Sequence, residues 1–571
     1  MTGGPAPRQE APPEAAPPFT PLVDPAALGS ALGRLASGLA RRPAGAVGAG
    51  VRLGGDLAVA GAQVAARALG WDGRTSLTPS PADRRFADPA WERSPWFLAQ
   101  RQAYLAWARW LRHVAAAADL DERQAAKAEA AVALVADALA PTNFLIGHPG
   151  ALRRAVETAG GSLLDGLANL LEDLAENGGR PRQVDSSQFE VGRNLACTPG
   201  RVVFRNDLYE LLQYAPQTDT VHEVPLLLSP PWINRYYIMD LAPGRSFVEW
   251  AVSHGHTTFA LSYRDPDESM RHVRLDDHVT GLATALDVVR DVTGAPRANV
   301  AGLCVGGTLA VMLAAWLAAG GDGGGDRIGS LTLLNTLVDF SEPGPLAAFT
   351  DAEAVARVEK RMAATGYLEA RDMASTFDAL RPNDLVWNYV GANWLMGGTP
   401  PAFDILAWNA DATRVAEATH SQYLRAFYLE NRLARGDLEL AGRPVRPGDV
   451  TADTYVLAAE NDHITPWRSS YATTGLLGGD VRFVLSSAGH IAGIVNPPGP
   501  RRRHWTDGDD APMLPDEPEA WRERAVEHPG SWWEDWAGWI AARSGGRKPP
   551  GPMGSERHPV LGEAPGTYVH R

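Results

Sequence analysis

Past Pro199 the chain alternates two hydrophobic rhythms. Short runs rich in β-branched and apolar residues recur at Val202–Phe204, Val224–Leu228, Thr258–Ser262, Val300–Gly302, Leu331–Leu334, Tyr455–Ala458 and Val481–Leu485. Between several of them lie stretches with apolar residues three or four apart, at Phe247–His254, His278–Val292 and Leu309–Ala319. Period-two or continuous apolar runs read as strands, and a 3.6-residue period reads as helix. Strands alternating with helices predict a mainly parallel sheet with helical crossovers, an α/β fold. Residues 342–449 break the alternation. They carry aromatic-rich helical patterns with no clear strand, and this predicts a helical cap inserted into the sheet domain.

Upstream, within an expected N-terminal domain over 81–190, the pattern is helical from Asp83 to about Asn177. Trp96–Leu111, Gln124–Leu139 and Leu152–Leu174 each repeat apolar residues at helical spacing, punctuated by Pro141 and by the glycine pairs at 160–161 and 178–179. They predict an N-terminal helical domain. Residues 1–80 are rich in Pro, Gly and Ala and are expected to form a flexible leader. Within it, the first twenty or so residues read as a disordered arm, whereas Leu28–Leu69 has loose helical spacing weakened by its glycines. The catalytic α/β part is expected over 191–571, and 571 residues exceed what one compact core ordinarily holds.

Composition then removes several function classes. With 53 Lys and Arg against 67 Asp and Glu, the net charge is -14, which gives no electrostatic basis for nucleic-acid binding. No apolar stretch is long enough to span a bilayer, and the N-terminus lacks the basic and apolar regions of a signal peptide. The two cysteines, Cys197 and Cys304, are no disulfide framework, and a reducing, cytoplasmic setting is expected.

The decisive chemistry lies at Asn299-Val-Ala-Gly-Leu-Cys-Val-Gly-Gly-Thr308, where Cys304 has the Gly-x-Cys-x-Gly setting between an apolar strand and an Ala/Leu-rich helix. A nucleophile on so tight a strand-to-helix turn needs small neighbours on either side. The helix N-terminus favours negative charge on its sulfur, and the N–H of Val305 is a candidate oxyanion donor. Asp462 follows the Tyr455–Ala458 run and His490 follows Val481–Leu485, so the order is nucleophile, acid, histidine, each beyond a strand. Glu460, His463, His254 and His256 are competing candidates by residue type, but strand-end placement favours Asp462 and His490. Cys197 lacks any such context and reads as structural. A thiol exchanging with a thioester keeps an acyl group activated for attack by a hydroxyl.

These residues are accompanied by longer segments: Phe189-Glu-Val-Gly-Arg-Asn-Leu195, Pro230-Pro-Trp-Ile-Asn-Arg-Tyr-Tyr237, Asn383-Asp-Leu-Val-Trp-Asn388, Gly489-His-Ile-Ala-Gly-Ile-Val-Asn-Pro-Pro498 and Gly530-Ser-Trp-Trp533. From about Arg84 onward the chain resembles class I polyhydroxyalkanoate synthases, of the α/β-hydrolase superfamily. The resemblance implies polymerisation of (R)-3-hydroxyacyl-CoA, with short acyl groups such as 3-hydroxybutyryl, through a covalent Cys304 thioester and release of CoA. It places Cys304, Asp462 and His490 at the triad positions, and Ile233 and Asn234 in the second oxyanion loop. It implies a homodimer associated with polyester granules, and no cofactor or metal, CoA being part of the substrate and then a product. Leu303, Tyr263 in Ser262–Pro266 and the stretch Val415–Thr419 depart from the common pattern. A Cys-dependent hydrolase or thioesterase of the same fold remains the alternative, since its elbow can carry the same motif.

Overall fold

The computed structural model describes residues 25–71, 75–81, 83–321, 323–508 and 513–571, so the expected arm over the first twenty residues lies outside the described residues. The chain divides into two compact units. One comprises the residues up to Asp185 together with Ser375–Pro401, and the other Ser186–Ala374 with Ala402–Arg571.

The first unit is helical: α1 (Pro25–Arg41), α2 (Pro43–Ala68), α3 (Ala90–Arg93), α4 (Pro95–Ala117), α5 (Glu122–Ala138), α6 (Pro149–Glu157) and α7 (Gly161–Glu176). The leader therefore forms helices over 25–41 and 43–68. Leu35 and Ala49 from its two helices join Val114, Ala115, Ala128 and Val132 in one core. The glycines that weaken the helical reading are packing devices: a Cβ on Gly45 would lie 2.9 Å from the Ala117 Cβ, and one on Gly38 3.1 Å from the Asp119 carbonyl. Their conformational cost is set against the close backbone approach that they permit. The glycine pair at 160–161 breaks the stretch 152–174 into two helices, with Gly160 at φ 87° between them. A second cluster, with Phe86, Trp91 and Tyr104, closes the other end of α4.

The second unit is built on one mixed sheet, its strands being β1 (Gly200–Arg205), β2 (Tyr209–Tyr214), β3 (Leu226–Ser229), β4 (Thr258–Tyr263), β5 (Ala298–Leu303), β6 (Ile328–Leu334), β7 (Asp453–Ala459), β8 (Val481–Ser486), β9 (Arg503–Thr506), β10 (Val526–Pro529) and β11 (Gly562–Glu563). The order across the sheet is β10-β9-β8-β7-β6-β5-β3-β4-β2-β1-β11. The six strands from β4 to β8 pair parallel, and the edges are antiparallel. Helices α8 (Phe247–Ser253), α9 (Leu275–Thr293) and α10 (Val305–Ala318) supply crossovers, as their periodicity predicts. The site residues thus leave the carboxyl ends of parallel strands at the centre of the sheet: β5 carries Cys304, β7, one strand removed across β6, leads to Asp462, and β8 to His490.

Two boundaries differ from the sequence reading. The first stretch of the N-terminal unit runs to Asp185 rather than 190, its last long helix ending at Glu176, and the insertion 342–449 is not one body, because Ser375–Pro401 belongs with the N-terminal helices. The rest of the insertion also contains short ladders, Tyr367–Leu368 with Val415–Ala416 and Leu438–Leu440 with Arg443–Val445. At two or three residues each, they are too short to leave a period in the sequence.

Candidate active site

The turn after β5 puts Cys304 at φ 52° and ψ −122°, a backbone conformation that costs a non-glycine residue about 1–3 kcal/mol. It is over-determined by its surroundings. The Cys304 N–H donates to the Leu334 carbonyl at 2.8 Å, and its own carbonyl accepts from the Gly307 N–H at 2.9 Å and the Thr336 hydroxyl at 3.2 Å. A Cβ on Gly302 would collide with the Gly306 carbonyl and Gly307, and one on Gly306 with the carbonyls of Ser229 and Pro230. The glycines thus let strand, helix and the loop after β3 converge on the cysteine, which is part-exposed. Val305 is the first residue of α10, so its N–H has no carbonyl of its own helix to reach.

Asp462 and His490 are both buried. The Asp462 Oδ2 accepts from His490 Nδ1 at 2.7 Å and from the Thr465 hydroxyl at 2.8 Å, while Oδ1 accepts from the N–H groups of Ile464 and Thr465 at 2.8 and 2.9 Å. Burial would raise this carboxyl. The facing imidazole and the Thr465 donors reverse that effect and hold it below the ordinary carboxylate range. Burial likewise works to neutralise His490. The Asp462 carboxylate first, and Cys304 second, outweigh burial and bring the imidazole up to about 10. Cys304 hydrogen-bonds the same ring. With Nδ1 committed to Asp462, Nε2 is the nitrogen left for the sulfur. The structure therefore brings Cys304, Asp462 and His490 together, and the arrangement can move a proton from sulfur to imidazole and stabilise the resulting charge.

Three of the competing residues are engaged by other partners in this unit. Glu460 pairs with Arg522 at 3.3 Å. His254 bonds the Trp250 carbonyl at 2.8 Å, and His256 is buried in a stack with His222 at a centroid distance of 4.5 Å. Cys197 is a free thiol that burial, with Asp240 nearby, pushes up, a setting that does not favour a nucleophile. Ile233 and Asn234 fall on the loop after β3, whose Pro230 carbonyl lies directly against Gly306. Ile233 is buried, and Asn234 forms a backbone bridge with Ala412.

Several residues around the site were not singled out from the sequence. Thr465 touches both Asp462 and His490, with its hydroxyl 3.3 Å from His490 Nδ1. Asn335, at φ 45° just past β6, donates its amide to the His490 carbonyl at 2.5 Å. Tyr423 and Tyr428 come from the insertion and both feel the Cys304 charge. Burial first, with smaller contributions from the neighbouring tyrosine and from Cys304, places both phenols above their ordinary range. They pack edge-on to Phe340, at 6.0 and 5.1 Å between centroids.

Comparison with known proteins places the chain in a family. Residues 82–251 match the family described as Poly-beta-hydroxybutyrate polymerase (PhaC) N-terminus, and residues 245–497 match the alpha/beta hydrolase fold. Poly(3-hydroxyalkanoate) polymerase subunit PhaC of Rhizobium meliloti (strain 1021) is 44% identical over 498 residues, covering 85% of this chain and 79% of the relative. The subunit of the same name from Cupriavidus necator is 43% identical over 507 residues, covering 87% and 85%. Poly(3-hydroxyalkanoate) polymerase 1 of Ectopseudomonas oleovorans is 41% identical over 501 residues, covering 87% and 88%. The chain belongs to the poly(3-hydroxyalkanoate) polymerase family. As a member of that family it is an acyltransferase on an α/β-hydrolase fold, and its polymerase activity implies an acyl-CoA substrate. Among the described residues, no helix of this polymerase is long and apolar enough to cross a membrane.

Proposed function

We propose that this polymerase elongates polyester through an acyl thioester on Cys304, with (R)-3-hydroxyacyl-CoA as the donor. The observation that carries the reading is the Cys304–His490–Asp462 constellation on the strained turn before α10. His490 takes the Cys304 proton, and the sulfur attacks the thioester carbonyl. The resulting oxyanion is stabilised by the Val305 N–H and by the loop carrying Ile233 and Asn234. The carbon–sulfur bond to CoA then breaks, and CoA leaves as the thiol with the proton from His490. Next, His490 deprotonates the hydroxyl of another 3-hydroxyacyl unit. That oxygen attacks the Cys304 thioester, an ester forms, and the cysteine is released as thiol. Asp462 holds the Nδ1–H tautomer and stabilises the imidazolium throughout.

Short acyl groups, such as 3-hydroxybutyryl, suit the aromatic packing of Phe340, Tyr423 and Tyr428 beside the cysteine. A cytoplasmic homodimer on the granule surface fits the same reading. Leu164, Leu167 and Leu171 share one face of α7 and are exposed, so they support association with an apolar polymer.

The test is CoA release from (R)-3-hydroxybutyryl-CoA with turbidity followed together, for the wild type and Cys304→Ala. Release with growing turbidity, both lost in the variant, is expected. Release into clear solution with free hydroxybutyrate would move the reading to a hydrolase, and activity surviving in Cys304→Ala would overturn the nucleophile.

A further inference from the structure

The loop after β3 is tied to the inserted segment by several hydrogen bonds. The Asn234 backbone bridges Ala412. The Trp408 indole N–H donates to the Arg235 carbonyl at 2.9 Å. The Arg235 Nε–H donates to Asp411 Oδ1 at 3.2 Å, and the Tyr237 hydroxyl donates to Asp411 Oδ2 at 2.8 Å. The rest of the buried Arg235 guanidinium reaches the carbonyls of Arg571 at 2.9 Å and Tyr568 at 3.4 Å. Trp408 belongs to the helix Asp404–Ala410, and Asp411 and Ala412 follow it directly.

We infer that Asp411, with Arg235 and Tyr237, is a positioning junction that holds the second oxyanion loop in register with Cys304, so that this loop is set only while the inserted segment is docked. The inference rests on the reading of that loop as an oxyanion donor. Only residues 235 and 236 separate Asn234 from Tyr237, and a planar guanidinium fixed on three acceptors leaves little freedom to the backbone that carries it. A displacement of a fraction of an ångström at the loop matters because donors stabilise the oxyanion only at 2.7–3.1 Å. Asp411 touches no reacting atom. Its effect passes through the loop.

The reaction offers a probe that separates this role from general support of the fold. Acylation by a CoA thioester passes through an oxyanion, whereas alkylation of Cys304 by iodoacetamide does not and needs only the activated sulfur. Tyr237→Phe removes one oxygen and keeps the ring, and Asp411→Asn keeps the shape and removes the charge. In both, kcat for CoA release is expected to fall about tenfold or more. KM and the iodoacetamide rate, scored at the Cys304 peptide, should stay within about twofold of wild type. Wild-type CoA release in both variants, with Cys304→Ala inactive, would overturn the junction while leaving the proposed function intact. CoA release and alkylation falling in parallel would also overturn it, since the defect would then lie in the nucleophile. Activity in Cys304→Ala would instead remove the reading on which the junction rests.

Discussion

Asp462→Asn changes little volume, yet it should be among the most damaging substitutions in the chain. The Asn carbonyl oxygen can take the place of Oδ1 and keep both backbone N–H bonds from Ile464 and Thr465. The amide nitrogen then stands where Oδ2 accepts from His490 Nδ1 at 2.7 Å. Two donors cannot face each other there, so the ring shifts its proton to Nε2 and presents N–H to Cys304. A ring already protonated at Nε2 cannot take the thiol proton, and the Coulombic cause that raises His490 is gone, leaving burial to keep it neutral. General-base catalysis contributes roughly 10² to 10⁴-fold, and the lost imidazolium stabilisation adds to it. We expect kcat to fall by about 10³–10⁴, or roughly 4–5.5 kcal/mol in the barrier. Asp462→Ala should retain more activity than Asp462→Asn, because the Thr465 hydroxyl, 3.3 Å from Nδ1, can accept that N–H and preserve the tautomer. The assay is initial CoA release from pH 6 to 9, with thermal unfolding as a control on folding. Asp462→Asn within tenfold of wild type, or more active than Asp462→Ala, would refute the tautomer argument.

Thr465→Val should lower kcat about tenfold with KM unchanged, through loss of one charge-assisted hydrogen bond to Asp462, as read by the same assay. Gly306→Ala should destabilise the sheet unit by about 3 kcal/mol, since its methyl would overlap the Ser229 and Pro230 carbonyls, and denaturant unfolding reads this directly. The pH dependence of stability has a definite sign. Because folding raises His490, its contribution is complete below the unfolded imidazole value near 6.5 and is lost as pH rises toward about 10. Asp462, depressed on folding, contributes above its unfolded value and loses that contribution as pH falls further. Melting temperatures of the wild type and Asp462→Asn should therefore converge as pH is raised from 6 to 10.

How much was legible in the sequence follows from which forces act locally. The parallel strands are buried on both faces, so their apolar runs stand out, and the residues just beyond β5, β7 and β8 could be named without coordinates. Strand β2 could not, because Tyr209-Glu-Leu-Leu-Gln-Tyr214 carries two polar residues and all six are buried. Glu210 is accommodated only because Arg205 and the N–H groups of Thr567 and Tyr568, far along the chain, satisfy it. The same applies to Asn335 and to the tyrosines of the insertion: their relation to Cys304 is tertiary, and no period or spacing encodes it. In the leader, glycine content points to flexibility when read residue by residue, although at Gly38 and Gly45 it serves helix contact. The division of 342–449 between two units is likewise a matter of packing partners, which hydrophobic pattern alone does not assign.

The turn at Cys304 sets durability against reactivity. Its φ of 52° is one that glycine occupies without strain, so a chain shaped only to resist unfolding would carry glycine at this position. Cys304→Gly should accordingly melt higher than the active enzyme while making no polymer. The sulfur is held on the least comfortable residue of the strand-to-helix turn, and any search for hardier variants by heat alone will drift toward losing it.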